Sequence, residues 1–305
     1  MSAGAPPPPS AVDPIGEVTV ALGPPRDDAR LARRERLQVL VRSKSFIAGA
    51  IIVGFWALCA AFGKLLVLQD PFASSPINGL QSPSADNWFG TDRLGRDVFS
   101  RVIVGARDIM IIAPAATLLG TVLGTALGLI TGYFRGAVDD ILSRLIETVL
   151  ALPVVLVAVM AIVSLGPSNL TIIFVVGFVF APVIARTVRA AVLSERELEY
   201  VSAARLRNEK TPYILFAEIL PNVMGPVVVE FTVRLGYAIF VVATLSFLGF
   251  GVQPPSPDWG LQIFDHYGLI SGGYWWPVLF PAAAIATLVI GVNLIADGLT
   301  QAFGR

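Results

Sequence analysis

Six stretches of this chain are apolar for about the length of a bilayer crossing, and they exclude most folds: residues 45–67, 108–133, 146–166, 170–190, 223–250 and 277–301. Crossing ~30 Å of hydrocarbon takes about 20 residues of α-helix at 1.5 Å of rise each. Lipid offers nothing to an unpaired backbone amide, so each span must be helical. The expectation is an all-α integral membrane protein with six transmembrane helices. Composition agrees, with 55% of the 305 residues hydrophobic and only 14% charged, against about 25% in an average soluble domain. The first run starts late, is long and lacks a small-residue cleavage site, so it reads as a retained span and not a signal peptide.

The basic residues set the expected orientation. If the spans alternate, sixteen of the 22 Lys and Arg fall on one side, in residues 1–44, 134–145 and 186–222 and at the C-terminus. By the positive-inside tendency that side is cytoplasmic, as are both termini. Residues 1–44, with "APPPPS" and "GPP", read as a disordered basic tail. Its end, "DARLARRERLQVLVRSK", reads as a juxtamembrane helix that either lies on the anionic leaflet or stays solvated. Residues 45–305 form the membrane domain.

An unusually polar stretch between two long apolar runs is "SERELEYVSAARLRNEKTPYILFAEILPN" at 194–222. Ser194 with Glu197 predicts a capping box and a helix starting there. Asn208 suits the left-handed turn that ends a helix, and Thr211 and Pro212 suit the cap and first position of the next one. The resulting short helix offers small Ala203 and Ala204 for close contact and Val201 and Leu206 for apolar grip. It either docks into a cleft on another protein or rests on the bilayer.

Three further patterns stand out. Gly120, Gly124, Gly128 and Gly132 recur every four residues, leaving one helix face as bare backbone where a neighbour can pack, in this chain or in another. Glu230 and Arg234 sit at i, i+4 inside a span, acid first; they form a structural ion pair or line a water-filled cavity. Asp92, Arg93, Arg96, Asp97, Arg101 and Arg107 interleave with apolar residues on the opposite side, an interfacial helix pattern with Asp97 spaced to pair with Arg101.

Other chemistries find no support. No phosphate-binding loop occurs, since Gly63-Lys64 is followed by Leu65 within a span, and "ISGGY" at 270–274 ends in Tyr in an outside loop. One cysteine, Cys59, and one histidine, His266, provide neither a disulfide nor a plausible catalytic pair or metal site. The chain should hold no cofactor and no metal and have no enzymatic activity. An intramembrane enzyme would need a nucleophile or metal constellation, and a secondary transporter would couple uptake to ions without an ATPase.

The polar stretch resembles the cytoplasmic coupling loop of ABC-importer permeases, with pattern Glu-Ala-Ala, three residues, Gly, then Leu-Pro. Ser202, Ala203 and Ala204 occupy the first three places, Asn208 stands at the glycine, and Leu220 and Pro221 close it. Ser202 replaces the acid, although Glu199 lies a turn earlier. "NWFGTDRLGRDVFSRVIVGAR" at 87–107, "RLIETVLALP" at 144–153, "LSFLGFGVQPPSPDWG" at 245–260 and "NLIADGL" at 293–299 are similar to the C-type permease of the dipeptide and oligopeptide importers. The resemblance implies a type I six-helix permease in the bacterial inner membrane. Its implied partners are a homologous second permease, two cytoplasmic ATPases carrying ATP and Mg, and an extracytoplasmic substrate-binding protein. On that reading Glu199, Tyr200, Val201, Ser202, Ala203, Ala204, Arg205, Leu206 and Asn208 couple to the ATPase. Asp92, Arg93, Arg96, Asp97, Asp258 and Trp259 are candidates for binding-protein docking, with packing against the bundle as the alternative for the arginine-rich segment. The substrate stays open among peptides, nickel complexes, glutathione and other small solutes.

Overall fold

The computed structural model describes Leu40 and residues 42–303. The expected N-terminal tail and most of the juxtamembrane helix lie outside the described residues. The described residues contain no β-strand, only one isolated bridge between Thr91 and Asp97. Helix α1 spans Lys44–Leu66, capped by Ser43, whose hydroxyl accepts from the Phe46 amide. α2 spans Val98–Tyr133, α3 Ala137–Leu150, α4 Val154–Leu165 and α5 Asn169–Glu195. α6 is the short helix Glu199–Leu206, and α7 runs from Thr211 to Phe247 with a π-turn over Ile214–Ile219. α8 spans Trp259–His266 and α9 Trp276–Phe303. Five of these helices, α1, α2, α5, α7 and α9, are long and apolar enough to cross a membrane.

Two expected spans need correction. α2 starts at Val98 and not at 108, because Asp97 caps it: its carboxylate accepts from the Ser100 amide at 2.8 Å and the Ser100 hydroxyl at 2.7 Å. At 36 residues the helix is about 54 Å long, so part of it projects beyond the hydrocarbon. The expected span 146–166 is broken into α3 and α4, which meet at an angle of 88°. Pro153 stands just before α4, and proline disfavours the helical conformation for the residue before it. With its 12 residues, α4 covers about 18 Å, less than a bilayer core. α3 is tied to α5 by a bidentate pair, in which Arg189 Nε and Nη2 both donate to the Asp139 carboxylate at 2.7 Å.

The core of the bundle is the α2–α5 contact. A β-carbon placed on Gly120, Gly124, Gly128 or Gly132 would lie 2.9, 2.7, 2.6 or 2.7 Å from an α5 atom. These atoms belong to Gly177, Ala181, Ile184, Val188 and their neighbours in the same chain, so the glycine face is filled from within. Val188 and Val192 insert where glycine leaves room and are fully buried. Small residues at such a crossing let the backbones approach, which favours dispersion contacts where lipid gives no hydrophobic drive.

Candidate functional site

α5 carries straight on through Ser194 to Glu195, so the expected capping box does not form. Buried Val192 against Gly132 holds this last turn in the helix, and Ser194 cannot take the extended conformation of a cap. Glu197 instead binds Arg135 at 2.8 Å and Arg196 at 3.0 Å. Arg196 in turn donates to the Tyr133 carbonyl at 2.5 Å, closing the C-terminal end of α2. α6 therefore begins at Glu199 with Leu198 as an uncapped lead-in. Its end is built as expected: Asn208 is left-handed at φ 57°. The Asn208 amide donates to Arg205 at 2.9 Å and the Glu209 amide to Ala204 at 3.1 Å, the paired bonds of a Schellman cap. The helix that follows starts at Thr211 itself, with Lys210 at the position before it and no side-chain cap.

The two sides of α6 differ. Val201 and Ala204 are fully buried against the chain's own hydrophobic core, in the cluster that holds Ile214, Leu215 and Ile219. Tyr200 is half-buried; its hydroxyl donates to Glu195 at 2.8 Å, and burial pushes its pKa up to about 12. The exposed side holds Glu199, Ser202, Ala203, Arg205, Leu206 and Asn208, with Leu206 84% exposed. This corrects the pairing read from sequence. Ala203 and Leu206 face outward, while Val201 and Ala204 anchor the helix and have no surface to offer.

A second polar feature lies within the membrane spans. Arg234 Nε donates to Glu230 Oε1 at 2.6 Å, and the guanidinium stacks 5.2 Å from the Tyr237 ring centre. Tyr237 is also part of a groove of about 400 Å³ between α7 and α9, shared with Phe240, Asn293 and Asp297. Tyr237, Phe240, Asn293 and Asp297 are all exposed. Asn293 approaches Gly236 so closely that a β-carbon there would sit 2.9 Å from its amide oxygen. Ionisable groups at the centre of a span cost about 2.5–3.5 kcal/mol on insertion scales, so this groove is unsuited to face lipid. Sequence reading quoted Asn293 and Asp297 within "NLIADGL" and gave Asn293 no role. Their i, i+4 spacing in the last span is the signal that points to one polar face.

The outer residues form a polar knot. Asp92 accepts from the Leu94 amide at 2.8 Å and the Arg96 amide at 3.0 Å, and pairs with Arg96 Nε at 2.6 Å. Buried Arg101 approaches Asp92 at 3.8 Å and His266 does so at 3.9 Å. The expected Asp97–Arg101 pair does not form, because Asp97 is engaged as the α2 cap and by Asn87 at 2.9 Å. Trp259 is fully buried, donates to the Val102 carbonyl at 2.8 Å and meets Trp56 edge-on at 4.7 Å. Asp258 caps α8, accepting from Leu261 at 3.0 Å; burial raises its carboxyl pKa to about 6. Desolvation likewise lowers the pKa of His266. Asp92, Asp97, Asp258 and Trp259 are thus enclosed and cannot meet a docking protein directly; only Arg93 is exposed, and Arg96 partly so.

Residues 124–305 match the family described as the binding-protein-dependent transport system inner membrane component. The chain belongs to this family. It is a multi-pass permease component of a membrane transport system. The permease is 39% identical over 286 residues to the dipeptide transport system permease protein of Alkalihalophilus pseudofirmus, covering 92% of each chain. It is 37% identical over 261 residues to the oligopeptide transport system permease protein of Bacillus subtilis, covering 85% of each. To the probable D,D-dipeptide permease of Escherichia coli it is 31% identical over 285 residues, with 93% of this chain and 95% of the relative covered.

Proposed function

We propose that this permease is one of two homologous membrane subunits of an ATP-driven importer for di- and oligopeptides. The peptide assignment is supported by the names of the similar permeases, and the coupling assignment by α6. That helix is fixed to its own chain by Val201 and Ala204, is closed by a Schellman cap, and presents Ala203 and Leu206 outward. A short helix anchored on one side with a protruding leucine suits insertion into a cleft of a cytoplasmic ATPase. ATP and Mg²⁺ belong to those ATPases, for which this chain supplies no phosphate loop. With the α3–α4 pair counted as one crossing, six crossings leave both termini and α6 on the cytoplasmic side, in keeping with the basic residues. The opposite side receives peptide from a binding protein, for which Arg93 and Arg96 are the accessible contacts. The α7–α9 groove, with Tyr237, Asn293 and Asp297, lines the water-filled path shared with the second permease.

The test is Leu206→Asp, which changes an exposed residue and leaves the fold intact. The expected phenotype is a normal amount of this chain in the membrane, loss of the ATPase subunits on purification, and no peptide-stimulated ATP hydrolysis. Lys210→Ala, also exposed, serves as the mild control. Full ATPase retention and uptake by Leu206→Asp would retire the coupling role. Ion-driven uptake by this chain alone in vesicles would retire the ATP-driven reading altogether. Ala204→Glu is unsuited to this purpose, because Ala204 is buried and the change would test folding.

A further inference from the structure

We propose that Lys64 and Arg107 form a binding site for the headgroup of an anionic phospholipid. The two cations come from different helices and line one cavity of about 290 Å³, together with Phe62, Phe72, Asp108 and Ser256. Among the described residues neither cation has a carboxylate within 4.0 Å. The one acid in the lining, Asp108, is engaged by the Ser256 hydroxyl. In the adjoining cavity, which Lys64 also lines, Asp70 accepts from the Phe72 amide at 2.9 Å. The lining therefore carries two cations against one carboxylate, Asp108, and keeps a net positive charge that a phosphate would neutralise.

Position makes the anion a lipid. Gly63 packs on α2, where a β-carbon would lie 3.3 Å from the Ile103 carbonyl, so the last turn of α1 crosses α2 one turn before Arg107. Arg107 and Asp108 directly precede the apolar run that starts at Ile109, and Lys64 lies in the final turn of an apolar helix. Both cations are thus level with the edge of the hydrocarbon, where lipid phosphates lie. The rim is apolar and outward-facing, with Phe62 51% and Leu65 83% exposed. A phosphodiester bearing acyl chains satisfies both parts, its anion between the cations and its chains along Phe62 and Leu65. A free phosphate would use only the first.

The experiment is native mass spectrometry of the purified whole transporter, stripped of lipid and then titrated separately with phosphatidylglycerol, phosphatidylcholine and inorganic phosphate. The expected result is one saturable phosphatidylglycerol per copy of this chain, at concentrations where phosphatidylcholine leaves no adduct. The double variant Lys64→Gln/Arg107→Gln should bind it at least about tenfold more weakly. The charge-preserving exchange Lys64→Arg/Arg107→Lys should retain it, which separates loss of charge from loss of fold. Equal binding of phosphatidylcholine, or an unchanged adduct in the glutamine variant, overturns the proposal. So does inorganic phosphate binding as tightly as phosphatidylglycerol, since that would assign the site to a free anion.

Discussion

The outer knot and the α7–α9 groove handle polar groups in opposite ways. In the knot, Asp92, Asp97 and Asp258 are buried, each accepting at least one backbone amide, and Asp92 also takes an arginine. In the groove, Asn293 and Asp297 are exposed and their side chains make no hydrogen bond among the described residues. Both regions are rich in residues that a membrane protein tolerates reluctantly. The difference teaches how to separate roles: groups whose bonds are closed within the chain hold the fold, and groups left open are there for something outside it.

The largest effect that can break this comparison is Asp92→Ala. It strands Arg96 and buried Arg101 without their acid, and loss of one member of a buried pair costs about 3–5 kcal/mol. Little folded chain should survive detergent extraction; near-normal yield and melting temperature would show that the knot is not structural. Next comes the Glu230–Arg234 pair, enclosed like the knot yet adjoining the groove. Glu230→Gln or Arg234→Gln leaves one lone ion in a span, worth about 2.5–3.5 kcal/mol, and the double change should be milder than either single one. Additive losses in thermal stability would show that the two do not interact.

A smaller effect sharpens the comparison through pH. Asp258 holds its proton to about pH 6 in the folded chain, against an ordinary 3.8. A folded-state pKa that is raised contributes stability fully below the ordinary value and loses it as pH rises through the folded one. Between about pH 4 and 6 stability should therefore fall. Asp258→Asn keeps the α8 cap and cannot ionise, so it should flatten that slope and be the more stable chain at pH 7 in detergent melts. The smallest structural effect is expected in the groove: Asp297→Asn should change stability by no more than about 0.5 kcal/mol while reducing peptide uptake in reconstituted vesicles. A large loss of stability with uptake per folded transporter unchanged would move Asp297 to the structural side.

What could be read in advance depended on how local each signal was. Long apolar runs announce spans because one crossing is one uninterrupted segment. Glycines every four residues announce a packed face, and Asn208 announces its turn through a conformation few other residues accept. The break at Pro153 carried a local signal too, but the apolar run continues on either side of it and hid the bend. The knot was illegible for a different reason. Asp92 and His266 are brought together by the whole bundle, and the spacing of Asp97 and Arg101 suggested a pair that the α2 cap pre-empts. The facing of α6 was lost at the same level: which of Ala203 and Ala204 points outward depends on the packing of α6 against the π-turn at Ile214–Ile219.

The glycine ladder has a mechanical consequence. Where backbone meets backbone no long side chain is present to change rotamer and absorb a displacement, and close-packed contacts transmit strain. α2 and α5 are therefore expected to turn together as one beam, about 40 Å long over the 27 residues of α5. Only Arg196, Glu197 and Leu198 separate the end of that beam from α6, and Arg196 is itself bolted to the end of α2. A push on the short helix at one face of the membrane then arrives, with little slack, at the Asp97 end of α2 on the other.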